Sequence, residues 1–250
     1  MNFKDKIVLV TGATSGIGKE IAKELLKAGS ILFINYGNNE KRMLETKEEL
    51  VSYEDKVFFI KADISIEEEV IDMFNQIKQK YNKLDLLVNN AGTNIDGFIE
   101  TFDMGDWRRV VDVNLTGKVI CTKYAIPLLK LGTNPSVVNI ASRLGTSPCT
   151  ESSAYSAAEA ALINFTKASA LELSKYNIRV NSVSPGFTPT PLSLASWTKE
   201  EIEEKRLNNP RGRLGKTGDI ANAVLFLLSD KADYINGINL DVNGGSSLIK

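Results

Sequence analysis

Short apolar runs alternate with longer amphipathic stretches from one end of this chain to the other, and this alternation constrains the fold most. Runs rich in β-branched residues predict buried strands at residues 7–10, 31–34, 57–60, 84–88, 137–140, 179–183 and 238–242. Between them, residues 19–28, 41–52, 67–80 and 154–175 show the spacing of amphipathic helices. Such alternation is typical of a parallel sheet with helices on both faces and right-handed crossovers. The sequence therefore predicts a doubly wound α/β fold with about seven strands.

One segment breaks this alternation. Pro185, Gly186, Pro189 and Pro191 precede a polar helix that is predicted to begin near Thr198. Irregular segments of this length within a compact domain usually serve a function, often as a lid. Because the sequence contains no linker, internal repeat or low-complexity tract, we expect residues 1–250 to form a single domain. Residues 185–209 are predicted to be a flap over a substrate site.

The chain contains no histidine. This excludes Ser-His and Cys-His mechanisms and His-ligated metals, so acid–base chemistry near neutral pH must come from Tyr, Lys, Cys or a carboxylate. Two cysteines, Cys121 and Cys149, are too few for a disulfide framework and lack metal-site spacing, which predicts a cytoplasmic protein without a metal. A net charge of -1 gives no electrostatic basis for binding nucleic acid or a membrane surface. No apolar run is long enough to span a bilayer.

A glycine-rich turn follows the first predicted strand. Residues 11–18 read Thr-Gly-Ala-Thr-Ser-Gly-Ile-Gly and lead into a helical pattern. Glycines permit a tight turn and let backbone N–H groups approach a pyrophosphate at a helix N-terminus. The segment lacks the Lys-Ser/Thr ending of a P-loop, so a dinucleotide is favoured over ATP. We predict a Rossmann-type dinucleotide site with contacts from Gly12, Ser15, Gly16, Ile17 and Gly18.

The spacing Thr-Gly-x-x-x-Gly-Ile-Gly resembles that of the short-chain dehydrogenase/reductase family, and further motifs follow in that family's order. They are Asn89-Asn90-Ala91-Gly92, Asn114, Ser142, Tyr155, Pro185-Gly186 with Thr188 and Thr190, and Asn243-Gly244-Gly245. The resemblance spans almost the whole chain. Within the family, the chain resembles the 3-oxoacyl-carrier-protein reductase branch.

The resemblance implies that Tyr155, Ser142 and Asn114 are catalytic. In the family, the tyrosine hydroxyl gives its proton to a substrate carbonyl, and the serine hydrogen-bonds that carbonyl. The asparagine holds a water in the proton relay. A lysine one helical turn after the tyrosine binds the nicotinamide ribose and lowers the tyrosine pKa, because a free tyrosine with a pKa of ~10 is a poor proton shuttle at pH 7.

The expected lysine is missing, because position 159, four residues after Tyr155, holds a glutamate. Helical spacing puts Glu159 on the same face as Tyr155, where a carboxylate raises the pKa of the tyrosine. Losing a positioned acid–base partner typically costs ~10²–10⁴-fold in rate. Three interpretations stay open: a variant of an active reductase, a natural member with weak or altered chemistry, and a cofactor-binding protein without catalysis. The cations nearest in sequence, Lys118 and Arg143, are interpreted as structural.

The resemblance also implies which nicotinamide cofactor is used. Its further contacts are Asp63 and Ile64 at the adenine, Asn90, Ala91 and Gly92 after the fourth strand, and Pro185, Gly186 and Thr188 at the nicotinamide. NAD-preferring members carry an acidic residue at the end of the second strand, where this chain has Tyr36. No carboxylate is present there to repel a 2′-phosphate, and Lys41 and Arg42 follow. We therefore predict NADP, with NAD possible because the glycine turn carries no basic residue.

Tyr155 and Ser142 imply a ketone or a secondary alcohol as the substrate. In the carrier-protein branch two surface arginines dock the acidic carrier, but Thr133 and Tyr176 occupy their positions here. A free small-molecule carbonyl is therefore an equal alternative, with Cys149 lining its pocket. Family members build homotetramers from two long helices, which correspond to residues 107–130 and 154–175, so the resemblance implies a homotetramer.

Overall fold

The computed structural model of this protein describes residues 1–194 and 197–248. Its seven parallel strands form one sheet: β1 (Ile7–Val10), β2 (Ile31–Tyr36), β3 (Val57–Lys61), β4 (Leu86–Asn89), β5 (Ser136–Ile140), β6 (Arg179–Pro185) and β7 (Asn239–Val242). The strand order is β3-β2-β1-β4-β5-β6-β7. The chain reverses its direction of travel across the sheet between β1 and β4. In open α/β sheets, this reversal opens a crevice at the carboxyl ends of the strands.

Helices cover both faces of the sheet. They are α1 (Gly16–Lys27), α2 (Glu40–Glu49), α3 (Glu67–Tyr81), α4 (Met104–Val111), α5 (Gly117–Leu129), α6 (Ser153–Leu173), α7 (Lys199–Leu207) and α8 (Thr217–Leu228). Successive side chains of a strand point to opposite faces. Val8 and Val10 of β1 accordingly pack in the core under α1 and α8, while Ile7 and Leu9 pack in the core under α3 and α5. The predicted doubly wound fold is confirmed.

All seven predicted strands are present, with ends within two residues of the predicted ones. The strands β2 and β6 extend two residues beyond their predicted ends. Tyr36 and Pro185, two predicted cofactor contacts, are therefore the last residues of these strands. The predicted helix over 41–52 is shorter, because α2 ends at Glu49 and a 3-10 segment, Val51–Lys56, follows. The predicted helix over 154–175 becomes α6 and a 3-10 turn, Ser174–Tyr176. Such turns commonly tighten helix ends, where backbone groups lack α-helical partners.

The long helix predicted over 107–130 contains a change of geometry. Its first part is α4, its second part is α5, and a π-helical segment, Asp112–Thr116, joins them. A π-helical segment inserts extra backbone into an α-helix and often occurs at functional sites. Asn114 lies within this segment. The π geometry therefore sets the direction of the side chains at Asn114 and in the turn that follows it.

The predicted flap has defined structure in its described part. Thr198 caps the N-terminus of α7, and its hydroxyl accepts a hydrogen bond from Glu201 N at 3.2 Å, so the helix predicted near Thr198 is confirmed. Ahead of it, the Ser193 hydroxyl accepts from Thr190 N at 2.9 Å and donates to Thr188 O at 2.7 Å. Residues 195 and 196 of the predicted flap lie outside the described residues. Closure of residues 185–209 over a substrate stays a prediction.

No helix in the described ranges has the length and apolar character needed to cross a membrane. Both cysteines are free thiols; Cys121 is buried in α5, and Cys149 is exposed in the loop before α6.

Candidate active site

A cavity of about 810 Å³ opens at the carboxyl ends of the central strands. This volume lies within the range typical of small-molecule and cofactor sites. The predicted site residues that line it are Gly12, Ser15, Gly16, Ile17, Tyr36, Asp63, Ile64, Asn90, Ala91, Gly92, Asn114, Ser142, Tyr155, Pro185, Gly186 and Thr188. The fold therefore brings together residues that are up to 176 positions apart in sequence, between Gly12 and Thr188.

The glycine turn forms one end of the cavity. Gly12 and Gly16 have φ angles of 61° and 53°, which side-chain-bearing residues rarely adopt. A Cβ at Gly12 would lie 2.8 Å from Ala91 Cα, so only glycine lets β1 and the segment after β4 approach this closely. Ser15 caps α1 without using its side chain, which leaves the first N–H groups of the helix directed at the turn. This cradle suits the pyrophosphate of a dinucleotide.

Gly18 is the one predicted contact that does not line the cavity. A Cβ at Gly18 would collide with the Asn90 amide and with Gly12 O. That amide donates to Thr11 O at 2.9 Å and to Gly12 O at 3.1 Å, and so it fixes the glycine turn. Gly18 therefore makes room for Asn90, and its contact with a cofactor stays a prediction.

The end of the cavity beside β2 and β3 carries polar groups that a nucleoside could contact. Asp63 accepts from Ser65 N at 3.0 Å and pairs with Arg109 at 2.9 Å; burial raises its pKa, but these partners outweigh burial and lower it. Asn35, which sequence reasoning missed, accepts from Gly12 N at 3.3 Å and donates to Ala62 O at 2.9 Å. Its polar side chain within an apolar strand was the signal for it.

Two cations near β2 were predicted to contribute positive charge. Arg42, in the first turn of α2, lines the cavity together with Tyr36. Lys41 is not part of the cavity wall. One guanidinium is therefore in place in the wall of the cavity near the end of β2.

The opposite end of the cavity is formed by the strand ends of β6 and β7. A Cβ at Gly186 would lie 2.8 Å from Asn243 Cα, so the Pro185-Gly186 segment packs directly on the Asn243-Gly244-Gly245 segment. The Thr188 hydroxyl donates to Gly186 O at 3.1 Å. These contacts hold residues 185–188 along the cavity, at the position where the resemblance places the nicotinamide.

Ser142 and Tyr155 lie together in the cavity wall. Ser142 follows β5, and its hydroxyl accepts a hydrogen bond from Leu144 N at 3.1 Å. Burial raises the pKa of Tyr155 most, the carboxylates of Glu159 and Asp96 raise it further, and the nearby Ser142 hydroxyl opposes them. Tyr155 is therefore a neutral hydroxyl at pH 7, which can donate a proton.

Asn114 occupies the neighbouring wall. Its side-chain oxygen accepts from Thr93 N at 3.0 Å, and its amide donates to Thr93 O at 2.7 Å. Both interactions anchor the segment that follows Gly92. Asn114 is completely buried, so the π-helical segment and this loop form one rigid side of the site.

Glu159 and Lys118 face each other in the wall of the cavity that contains Tyr155. Both line it, with exposed fractions of only 1% and 2%, and Lys118 Nζ lies 4.0 Å from Glu159 Oε1. The interpretation of Lys118 as structural is therefore wrong; it reaches the site from α5, one helical turn after Asn114. Arg143, also interpreted as structural, lines the cavity beside Ser142.

Burial and pairing control the ionisation of these two groups. Burial raises the pKa of Glu159 to about 7, while the charge of Lys118 opposes that rise. Burial lowers the pKa of Lys118, and Glu159 opposes that change. Lys118 Nζ donates to Ile140 O at 2.7 Å, whereas Glu159 Oε2 has no hydrogen-bond partner among the described residues.

The outer part of the cavity is where a substrate could enter. Cys149 and Thr150, in the loop before α6, line it, as do Trp197 and Lys205. Lys205 Nζ lies 3.5 Å from the centre of the Trp197 ring, a cation–π contact. Sequence reasoning missed Lys205, because nothing in its local pattern distinguishes it from the other charged residues of α7.

Comparison with known proteins finds relatives that match nearly the whole chain. The model of the short chain dehydrogenase family matches residues 6–201. The chain is 35% identical over 241 residues to the 3-oxoacyl-(acyl-carrier-protein) reductase FabG of Staphylococcus aureus strain MW2, covering 96% of this chain and 97% of that protein. It is 36% identical over 246 residues to the FabG of Aquifex aeolicus strain VF5, covering 98% of both chains.

Solved structures with this fold extend the similarity. The ligand-free aldohexose dehydrogenase of Thermoplasma acidophilum has a TM-score of 0.88 and 34% identity, over 99% of this chain and 96% of that chain. A putative gluconate dehydrogenase from Agrobacterium tumefaciens has a TM-score of 0.92 and 27% identity, over 100% and 98% of the two chains. The fold, the family model and the near full-length relatives agree, and the chain belongs to the short-chain dehydrogenase family of oxidoreductases.

Proposed function

We propose that this protein reduces a ketone, or oxidises the corresponding secondary alcohol, with NADP(H). The observation that carries the proposal is that Tyr155 and Ser142 lie in the wall of the same cavity that the glycine turn lines. A carbonyl oxygen can accept one hydrogen bond from each hydroxyl there. We also propose that residues 1–250 act as one domain, with residues 185–209 as its flap.

The residues present fit a nicotinamide dinucleotide. Gly12 and Gly16 leave room for a pyrophosphate at the N-terminus of α1, and residues 185–188 would hold the nicotinamide. The unpartnered Glu159 Oε2 can accept a hydrogen bond from a ribose hydroxyl. When bound, the cofactor supplies a hydride; it is the chain's own groups that position the substrate and move the proton.

Tyr155 is the proton donor in the proposed reaction. Its hydroxyl passes a proton to the carbonyl oxygen as the carbonyl carbon is reduced, while Ser142 holds that oxygen by a hydrogen bond. Because burial and Glu159 raise the pKa of Tyr155, the hydroxyl is protonated at pH 7 and ready for reduction. Oxidation of the alcohol runs the same step in reverse, with the tyrosinate accepting the proton.

The preference for NADP rests on the adenosine end of the cavity. Tyr36 stands where a carboxylate would repel a 2′-phosphate, and Arg42 lines the same wall. Replacing Arg42 with alanine should raise the KM for NADPH by about tenfold, the equivalent of ~1.4 kcal/mol, and leave that for NADH nearly unchanged. An equal effect on both cofactors would contradict the NADP assignment.

The substrate itself is proposed as a free or carrier-bound carbonyl compound. The relatives named above act on 3-oxoacyl groups or sugars. At the carrier-docking position, Tyr176 is flanked by Lys130 and Lys175, whose ammonium groups lie 3.6 and 5.1 Å from its ring centre. These two lysines could replace the docking arginines for an acidic carrier protein.

We propose that the protein works as a homotetramer in the cytosol. The outward face of α6 carries Leu171, which is 80% exposed, and α4 carries the exposed Met104. Apolar side chains on the exposed faces of these helices favour association. Sedimentation velocity tests this: a monomer at micromolar concentration would contradict the tetramer.

The decisive experiment measures NADPH oxidation against a panel of 3-oxoacyl thioesters, keto acids and aldoses, together with NADPH binding by fluorescence. Tyr155→Phe and Ser142→Ala should bind NADPH normally and lose turnover by ~10²–10⁴-fold. The second candidate, a cofactor-binding protein without catalysis, is favoured by Glu159 beside Tyr155. It predicts tight NADPH binding, no turnover of any carbonyl, and no change in either property when Tyr155 is replaced.

A further inference from the structure

We propose that Lys118 supplies the cation that position 159 lacks, and that Lys118 and Glu159 together bind the ribose hydroxyls beside the nicotinamide. In the family's usual arrangement, one lysine on the helix of the tyrosine does this. Here the ammonium comes from α5, and the helix of Tyr155 contributes a carboxylate. The inference rests on the proposed function, since it assigns two further residues to the same cofactor site.

Lys118 and Glu159 reach the site from different helices. Lys118 follows the π-helical segment that contains Asn114, and it lines the same cavity as Asn114. Glu159 lies one α-helical turn after Tyr155, on the same face of α6. The two side chains meet with Nζ 4.0 Å from Oε1, and both line the cavity that contains Tyr155. Lys118 thus brings one positive charge to the part of the cavity where the lysine is missing.

Hydrogen-bonding capacity is left over at this pair. The 4.0 Å separation of Nζ and Oε1 is too long for a hydrogen bond. An ammonium has three donors, and among the described residues Nζ donates only to Ile140 O, at 2.7 Å. Glu159 Oε2 is buried and has no partner among the described residues. Buried polar groups are normally satisfied, so this unused capacity points to a ligand that both donates and accepts hydrogen bonds.

A ribose diol has that chemistry. One hydroxyl can donate to the Glu159 carboxylate, and a hydroxyl oxygen can accept from the Lys118 ammonium. A purely structural ion pair would instead be expected to close to a direct, charge-assisted hydrogen bond.

The test moves the positive charge between the two helices. Lys118→Met removes the cation and keeps a long side chain. We expect it to weaken NADPH binding, measured by fluorescence titration, by tenfold or more and to lower kcat by ~10²–10⁴-fold. Adding Glu159→Lys to Lys118→Met returns a cation from the other helix. This double variant should recover NADPH affinity and kcat to within about tenfold of the original protein.

Two further variants separate function from folding. Lys123→Met makes the same chemical change on the exposed side of α5, where Lys123 pairs with Glu67 at 2.9 Å, and should leave both readouts unchanged. Lys118→Met with Glu159→Gln removes both charges, so it leaves neither charge unpaired in the core. It should fold, as followed by circular dichroism, and still bind NADPH weakly.

Each outcome decides the matter. Unchanged NADPH affinity and kcat in folded Lys118→Met protein would overturn the inference and leave the proposed function standing. A hundredfold gain in kcat for Glu159→Lys alone would also overturn it, because the site would then have lacked a cation. If no carbonyl is reduced but Lys118→Met still weakens NADPH binding, the proposed function fails and the ribose assignment stands.

Discussion

Replacing Glu159 with glutamine should make the stability of this protein less dependent on pH. The side chain is almost fully buried, and its pKa is raised from an ordinary 4.5 to about 7. A group with a raised pKa in the folded state contributes stability below its unfolded pKa, and this contribution is lost as pH rises through the folded value. Glu159 therefore costs stability progressively between about pH 4.5 and pH 7.

The magnitude follows from the pKa. Each unit is worth about 1.36 kcal/mol, so a rise from 4.5 to about 7 corresponds to about 3 kcal/mol at pH 8. Glutamine has nearly the same shape and no titration. Lys118 adds to this difference in stability. Burial lowers its pKa, and removal of the Glu159 carboxylate lowers that pKa further, so the variant gains stability as the pH rises. Because part of this loss has already occurred at pH 5, we expect the stability of Glu159→Gln relative to the original protein to be about 2–3 kcal/mol more favourable at pH 8 than at pH 5.

Urea unfolding at fixed protein concentration, followed by tryptophan fluorescence at pH 5, 6, 7 and 8, measures this difference. Glu67→Gln is the control, since Glu67 is exposed and its pKa is lowered by hydrogen bonds from Lys123 and Tyr124. Its stabilising contribution is lost as the pH falls, which is the opposite sign. Parallel pH profiles for Glu159→Gln and the original protein would refute the reasoning, because Glu159 would then keep an ordinary pKa.

Three further predictions concern the cofactor end of the cavity and the thiols. Gly12→Ala should raise the Kd for NADPH by tenfold or more, because φ is 61° and the added Cβ meets the backbone after β4; Gly218→Ala, outside the cavity, where an added Cβ meets only the Glu20 carboxylate at 4.0 Å, should bind normally in the same titration. Tyr36→Asp should shift the ratio of kcat/KM for NADPH over NADH towards NADH by about tenfold or more, since a carboxylate repels the 2′-phosphate; an unchanged ratio would place the 2′-phosphate elsewhere. In the folded protein a thiol reagent should modify Cys149 alone, because Cys121 is buried and its pKa is raised to about 12; two reactive thiols before denaturation would contradict that burial.

Most of the fold could be predicted from local patterns in the sequence. The period of apolar residues distinguishes strands from helices, and the glycines at positions 12 and 16 mark a turn that no other residue type adopts easily. Strand–helix alternation then restricts the topology to a parallel sheet, because short connections and right-handed crossovers leave few alternatives. Ser142 and Tyr155 could be predicted by their spacing within a known set of motifs.

The absence of histidine was a second result that needed no structure. It restricted acid–base chemistry to tyrosine, lysine, cysteine and carboxylates. The sequence also showed that position 159 breaks the motif. What it could not show was the consequence, because that depends on which side chain from another element faces Glu159.

Tertiary structure decided the contacts between elements. Lys118 directly follows a π-helical segment that packs against α6, and from there it reaches Glu159; neither fact follows from a local pattern. Gly18 turned out to make room for Asn90, which lies 72 positions away. A chain's periodicity specifies its elements, but the rotation of each helix and the register of each strand are set by packing of the whole core. The sequence alone therefore determined the fold and the motif residues of the predicted site, and packing decided where the missing positive charge lies.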